Sequence, residues 1–303
     1  MCENENFSVT VPGSTSNLGS GFDTVSAALS VYLTLDVERT VGEEIEWVAD
    51  WELAPEENII AVALTSACRR LDIRPRGLRI KVDNAIPLKR GLGSSAAAIV
   101  GGIKIAERLS RRSLEPEAVF EMAYPLEGHP DNLSASVLGG WVISRVAEGN
   151  MRAERLPASI DCQFVLVVPD IQVSTEEARE ILPEDLGLSD AVFNLQRCAL
   201  LIHAISSGET SLLGEATRDR LHQVYRAGLV PGVLSLLERK DLPEGLSESV
   251  LSVTVSGSGS TVLAITQGHC EEIGNWMVSA MKQSGTPAQY FVLELDLAGA
   301  RFV

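Results

Sequence analysis

Gly91, Gly93, Ser94 and Ser95 carry the chain's clearest chemistry, within the stretch Gly91-Leu92-Gly93-Ser94-Ser95-Ala96-Ala97-Ala98. Residues this small leave main-chain N–H groups free to point into one concavity. Where such a turn opens a helix, the first amides are unsatisfied and the dipole presents its positive end. That combination holds phosphate by backbone, without a lysine. Ser94 and Ser95 can cap the helix, and one hydroxyl can face a metal ion. The GxxxxGK[ST] and GxGxxG phosphate-loop patterns are both absent.

Glu127-Gly128-His129-Pro130-Asp131-Asn132 packs two carboxylates, an imidazole and an amide into six residues. Carboxylate oxygens suit Mg²⁺, the usual companion of nucleotide phosphates. The same segment also reads as a polar turn in which Asp131-Asn132 cap the following helix. His129 reads as a proton shuttle or, less demandingly, as a hydrogen-bond partner of substrate. Two more small-residue segments stand beside strands. Pro12 to Asp23 reads as a loop, and Ser256-Gly257-Ser258-Gly259-Ser260-Thr261 as a turn between strands. In so acidic a chain Arg179 and Arg226 are notable, because a forked guanidinium suits a substrate carboxylate. The plain alternative for each is an exposed helix arginine.

The elements that must position these groups follow from apolar periodicity. Strands are expected at Phe7 to Val11, Val31 to Glu38, Glu44 to Ala49, Leu78 to Val82 and Gly139 to Arg145. Further strands are expected at Cys162 to Val168, Ser252 to Ser256, Thr261 to Thr266 and Gln289 to Leu295. Helices are expected at Asn58 to Leu71, Ser94 to Leu109, Glu117 to Ala123, Ser174 to Ile181, Phe193 to Ser206, Val230 to Glu238 and Glu271 to Ser284. Glu148 to Pro157 reads as a polar connection. Without strict βαβ alternation the class is α+β, divided near residue 155.

Composition bounds the function. Against 25 Lys and Arg stand 41 Asp and Glu, a net charge of −16 over 303 residues, which argues against nucleic-acid or anionic-membrane binding. No apolar run reaches the roughly 18 residues of a membrane span. Met1-Cys2-Glu3-Asn4-Glu5-Asn6 lacks the basic and apolar regions of a signal peptide, so a cytoplasmic location is expected. Cys2, Cys68, Cys162, Cys198 and Cys270 are scattered without CxxC spacing and read as ordinary thiols.

Pro12 to Asp23 resembles the first motif of homoserine kinases, and Pro87 to Ala97 the ATP loop of the wider GHMP kinase superfamily. Glu127 to Asn132 followed by Gly139-Gly140 is similar to the homoserine kinase form of the acidic segment. Asp219-Arg220-Leu221-His222-Gln223, Tyr225-Arg226 and Val230-Pro231-Gly232 resemble the same branch, and Ser256 to Thr261 resembles the third superfamily motif. Ser258 and Ser260 stand where that motif commonly has Ala and Pro.

The resemblance implies the two-lobed GHMP kinase fold. An N-terminal ATP-binding lobe over 1–155, like ribosomal protein S5, would join a ferredoxin-like C-terminal lobe over 156–303. The third motif would support the first two from that second lobe. The implied activity is ATP- and Mg²⁺-dependent phosphorylation of the L-homoserine hydroxyl to O-phospho-L-homoserine, for threonine biosynthesis. Another small alcohol, or a non-catalytic nucleotide-binding role, is the rival reading. Pro87, Leu88, Lys89, Arg90, Gly91, Leu92, Gly93, Ser94, Ser95, Ala96 and Ala97 would form the nucleotide site, with Ser95 and Glu127 as metal ligands. Asn17, Asp23, His129, Arg179 and Arg226 would surround homoserine. Asp23 would meet its ammonium and the arginines its carboxylate. Asp131 and Asn132, with His129, would lie by the attacking hydroxyl, Asp131 as base or only as a positioning group. A homodimer is also suggested.

Overall fold

The computed structural model describes residues 6–49 and 58–303; Cys2, and with it most of the acidic N-terminus, lies outside the described residues. The first half runs β1 Phe7–Asn17, β2 Gly21–Arg39, β3 Ile45–Val48, α1 Ile59–Arg70, β4 Leu78–Asn84, α2 Ser94–Ser110, α3 Pro116–Glu127, α4 Pro130–Leu138, β5 Trp141–Ala147 and β6 Asn150–Arg155. The second runs β7 Gln163–Pro169, α5 Thr175–Glu180, α6 Leu188–Ser207, α7 Leu213–Ala216, α8 Gln223–Arg226 and α9 Val233–Leu237. It ends with β8 Val250–Val255, β9 Val262–Thr266, α10 Cys270–Gln283, β10 Ala288–Leu293 and β11 Arg301–Phe302. Helices and strands mix without strict βαβ alternation, β3-α1-β4 being one parallel unit, as the α+β expectation required.

The first sheet has the order β11-β1-β2-β4-β3, with β5 paired to β2 and β6 to β5. Alternation at the start of β1 sends Val9 and Val11 into the core, both fully buried. The main departure from expectation lies between Pro12 and Asp23. Most of that segment is not a loop: β1 stays paired with β2 through Gly13–Leu29, Ser14–Ala28, Thr15–Ala27 and Ser16–Ser26 before a tight turn. Small polar residues have poor strand propensity, but cross-strand pairing satisfies their backbone groups, and that decides the matter. Register shifts at Pro12/Gly13 and Ser16/Asn17 bend the ribbon.

Helix α2 packs against this sheet beside α4, with α1 on its other side. Ala96, Ile99, Val100 and Ile103, at the helical spacing of one face, are all fully buried. Gly102 lets α1 come close: a Cβ there would lie 2.5 Å from the Ile60 carbonyl oxygen. The polar connection expected at Glu148 to Pro157 instead contains β6, a hairpin partner of β5 with Met151 as its buried residue.

The second sheet is antiparallel, in the order β10-β7-β9-β8. Its centre is the nearly unbroken apolar run Phe164 to Val168. Five fully buried residues of β7 and β9 (Phe164, Leu166, Val167, Leu263 and Ile265) build the middle of the layer. On one side α10 packs through Ile273, Met277 and Met281. Trp141 of β5 meets Phe164 of β7 with ring centroids 5.6 Å apart, joining the two layers through apolar contact. Among the described residues Cys68, Cys162, Cys198 and Cys270 are free thiols, and no helix is long and apolar enough to cross a membrane.

Candidate active site

A cavity of about 780 Å³ opens where the tip of the β1–β2 hairpin, the loop before α2, the α3–α4 corner and the second sheet's β8–β9 turn converge. It is lined by Asn17, Asp23, all of Pro87 to Ser95, Glu127, His129, Asp131, Asn132, Arg179 and Arg226. Of the residues given a nucleotide, metal, substrate or catalytic role from sequence, Ala96 and Ala97 alone stand back from it, buried in the first turn of α2. A second cavity of about 670 Å³, against α10 near Trp276 and His269, contains none of these groups.

The loop owes its course to close backbone approach. Gly91 has φ +74° and a Cβ there would sit 2.1 Å from the Ser256 carbonyl oxygen. Gly93 has φ +70°, and its Cβ would meet Ser14 Oγ at 2.2 Å. Only glycine fits either position. Gly93 is itself the N-cap of α2, in the left-handed region and without a side-chain cap. This corrects the expectation that Ser94 or Ser95 caps the helix. Both serines lie inside its first turn, and the Ser95 hydroxyl donates to Glu127 Oε2 at 2.7 Å. The uncapped first amides of α2 therefore remain available at the cavity wall.

Glu127 is the last residue of α3, Gly128 its left-handed cap, His129 the N-cap of α4, and Asp131 sits in the first turn of α4. One corner thus delivers three polar side chains. Burial raises the Glu127 pKa, offset by the Ser95 hydroxyl and reinforced by Asp131. Asp131, 3% exposed, accepts from the Asn132 amide at 2.8 Å. Burial, and then the Asp23 carboxylate, push its pKa up to about 6. Asn132 is fixed by Ser14, whose hydroxyl donates to Asn132 Oδ1 at 2.9 Å, and by Ser16, which accepts from Asn132 Nδ2 at 3.2 Å.

The opposite wall is cationic. Arg179 of α5 grips Asp23 with one nitrogen, 2.8 and 2.7 Å from the two carboxylate oxygens, and donates through Nε to His129 Nε2 at 2.8 Å. His129 therefore accepts on Nε2, and burial followed by Arg179 holds its pKa below the ordinary imidazole value. Arg226 of α8 donates from Nη1 to Gly257 O at 2.8 Å and from Nε to Ala178 O at 3.2 Å. Burial lowers its pKa to about 10, so it stays cationic at neutral pH. Asn17 joins the same turn, donating to Gly257 O at 2.9 Å while accepting from the Asp23 amide at 2.9 Å. Arg90 lines the cavity, but Nε and Nη2 of its guanidinium donate to the Pro169 and Asp170 carbonyls.

The β8–β9 turn reaches both halves. Ser256 Oγ lies 2.7 Å from Gly91 O and 2.9 Å from Thr15 Oγ1, and the Gly257 amide donates to Ser16 O at 3.1 Å. Beyond the Gly91 loop the cavity continues into an arm lined by Leu33, Asn58, Ile60, Val82, Asn84 and Ala98. Sequence reading did not single these out. They come from separate elements and resemble ordinary core or cap residues one at a time, and only the start of α1 against the end of β4 makes them a surface.

The fold and this site define a class. A model of the GHMP kinases N terminal domain matches residues 58–140. The chain is 36% identical to the homoserine kinase of Persephonella marina, covering 96% of each protein, and 40% identical to that of Thermus thermophilus, covering 85% of this chain and 86% of the other. It superposes on the crystal structure of homoserine kinase from Cytophaga hutchinsonii with a TM-score of 0.87 at 22% identity, covering 100% of this chain and 99% of that one, which shows the shared fold. The chain belongs to the homoserine kinase family.

Asp131 generates a stability prediction. Its folded-state pKa of about 6 lies above the ordinary 3.8. The ionised carboxylate therefore costs stability above the folded value, and the cost disappears below the unfolded one. A gap of that size corresponds to about 3 kcal/mol. Asp131→Asn keeps the Oδ1 acceptor and is expected to raise the denaturation midpoint at pH 8. The gain should shrink through pH 6 and vanish near pH 4. Equal differences at pH 4 and pH 8 would contradict the account.

Proposed function

We propose that the chain transfers the γ-phosphoryl group of ATP to the side-chain hydroxyl of L-homoserine, giving ADP and O-phospho-L-homoserine, as a cytoplasmic step toward threonine. The observation that carries this reading is the juxtaposition of Asp23, Arg179 and Arg226 in the cavity that also holds the Gly91–Ser95 turn. An amino-acid alcohol brings an ammonium and a carboxylate together. It can enter the Asp23–Arg179 pair and give each partner an opposite charge, with Arg226 as a second carboxylate donor. Mevalonate has a carboxylate but no ammonium, so drawing Arg179 to it would leave Asp23 uncompensated, and a neutral sugar supplies neither charge with which to divide the pair.

The apolar arm between α1 and β4 receives the purine, and the uncapped start of α2 with the Gly91–Ser95 backbone receives the phosphates. Ser95 and Glu127 offer adjacent hydroxyl and carboxylate oxygens, the donor set Mg²⁺ favours, and the raised pKa of Glu127 marks a carboxylate short of positive charge. When bound, the ion would neutralise charge on the phosphates. Among the described residues no cluster of three or more His, Cys, Asp or Glu forms an all-protein metal cage, which fits an ion held mainly by nucleotide. Asp131 and Asn132 face the substrate hydroxyl. Asn132 orients it, and Asp131 takes its proton as the oxygen–phosphorus bond forms and the bond to ADP breaks. Such a transfer is driven chiefly by positioning and charge stabilisation. A homodimer, as the resemblance suggests, is consistent with the apolar residues Leu188, Val192 and Leu195 exposed along α6.

An ADP-release assay over homoserine, mevalonate, galactose, shikimate and choline should show turnover with homoserine. In that assay Arg226→Ala should raise the homoserine KM by about 10- to 100-fold, the range for hydrogen bonds to charged groups, and leave the ATP KM within about twofold. No turnover with any amino-acid alcohol, or equal changes in both KM values, would overturn the substrate assignment. For the metal, Glu127→Gln should raise the Mg²⁺ concentration needed for half-maximal rate and lower kcat/KM for the nucleotide by about 100-fold. Calorimetric binding of homoserine should be unchanged. Wild-type Mg²⁺ dependence in that variant would remove Glu127 from the metal site.

A further inference from the structure

His222 lies behind the substrate wall, fully buried and outside the cavity lining. Its Nε2 stands 2.8 Å from the Gly19 carbonyl oxygen and its Nδ1 3.3 Å from Arg226 Nη1. A carbonyl can only accept, so Nε2 carries the proton. A guanidinium can only donate, so Nδ1 must be the bare nitrogen. The two neighbours thus select one neutral tautomer. Burial, the largest influence on this imidazole, lowers its pKa and works in the same direction.

The ring is held from every side. It stacks on Phe22 with centroids 5.2 Å apart and planes 25° apart, and Phe22 also lies under the guanidinium groups of Arg179 and Arg226. Behind it, Asp219 accepts from the amides of His222 at 2.9 Å and Gln223 at 2.7 Å and from Asn194 Nδ2 at 2.7 Å. Asp219 therefore directs its charge to the start of α8. Its nearest oxygen is 3.7 Å from His222 Nε2, so the ring proton goes to Gly19.

We propose that His222, as the Nε2–H tautomer, is a positioning residue that ties the β1–β2 hairpin tip to Arg226 and sets the guanidinium that receives the substrate carboxylate. The hairpin tip also carries Asn17 and Phe22, next to Asp23. One imidazole thereby registers the ammonium side of the site against the carboxylate side. The inference rests on the assignment of Arg226 to the substrate carboxylate.

Two variants separate the two ring nitrogens. The amide of His222→Asn can present an acceptor near the Nδ1 position. That of His222→Gln reaches the Nε2 position and donates to Gly19, leaving Arg226 Nη1 without this acceptor. Since the tie needs both nitrogens, the expected result is a homoserine KM raised about tenfold in each variant, with the ATP KM within about twofold. In an Arg226→Ala background His222→Gln should add little, since the residue acts through Arg226. Parallel rises in both KM values, or full additivity in the double variant, would overturn the proposal.

A measurement independent of activity keeps the test sharp should either variant fold poorly. Nitrogen-15 NMR of the wild-type protein with labelled histidine, His222 being one of only 4 histidines, should show a bare Nδ1 and protonated Nε2 at pH 8. A protonated Nδ1 would refute it. If Arg226→Ala leaves the homoserine KM unchanged, the substrate assignment fails. If it does not, and His222→Gln is silent, only this inference fails.

Discussion

The arrangement depends on a turn from one sheet being locked into the backbone of the other. Ser256 and Gly257, at the end of β8, bond to the hairpin tip through Thr15, Ser16 and Asn17, to the loop before α2 through Gly91, and to the cationic wall through Arg226. The approach is so close that Gly91 has no room for a Cβ. The Gly91 loop comes from the first half of the chain and Arg226 from the second, yet both are referenced to these two residues. Chemistry that works by holding two reactants in line requires such a shared reference, because small misplacement is costly.

Charge is the second constraint. Asp23, Glu127, Asp131, Arg179 and Arg226 share one cavity, and the pKa shifts among them record incomplete compensation. Burial raises the pKa of both Glu127 and Asp131. Asp23 is neutralised by Arg179, an internal pair standing where a zwitterionic substrate would divide it. Such a site costs the folded protein stability before ligands arrive. The large apolar core around α2 and the Trp141–Phe164 junction offset that cost elsewhere.

Much of this was legible in the sequence where local chemistry and final geometry agree. The glycines of the loop before α2, the Glu127–Asn132 corner, and the apolar strand Phe164 to Val168 announce themselves by composition and periodicity. The helix expected from Ser174 is present, with Ser174 as its cap in a capping box with Glu177. The failures are long-range. Pro12 to Asp23 looks like a loop because its residues are small and polar, but pairing with β2 makes most of it strand. Ser95 looks like a helix cap, yet Glu127 from another helix claims its hydroxyl. The apolar arm carries no local signature, and His222 stands in a motif without a role of its own, since each becomes informative only beside a residue distant in the chain.

The most direct test of the shared reference is Ser256→Ala, which removes the hydroxyl that meets Gly91 and Thr15 and leaves every group assigned to ATP or homoserine in place. Steady-state kinetics with both substrates varied should show the two KM values rising together, each by about tenfold, with a lower kcat and an almost unchanged melting temperature. An effect confined to one substrate, or none on either, would contradict the claim that this turn holds the two halves of the site in register.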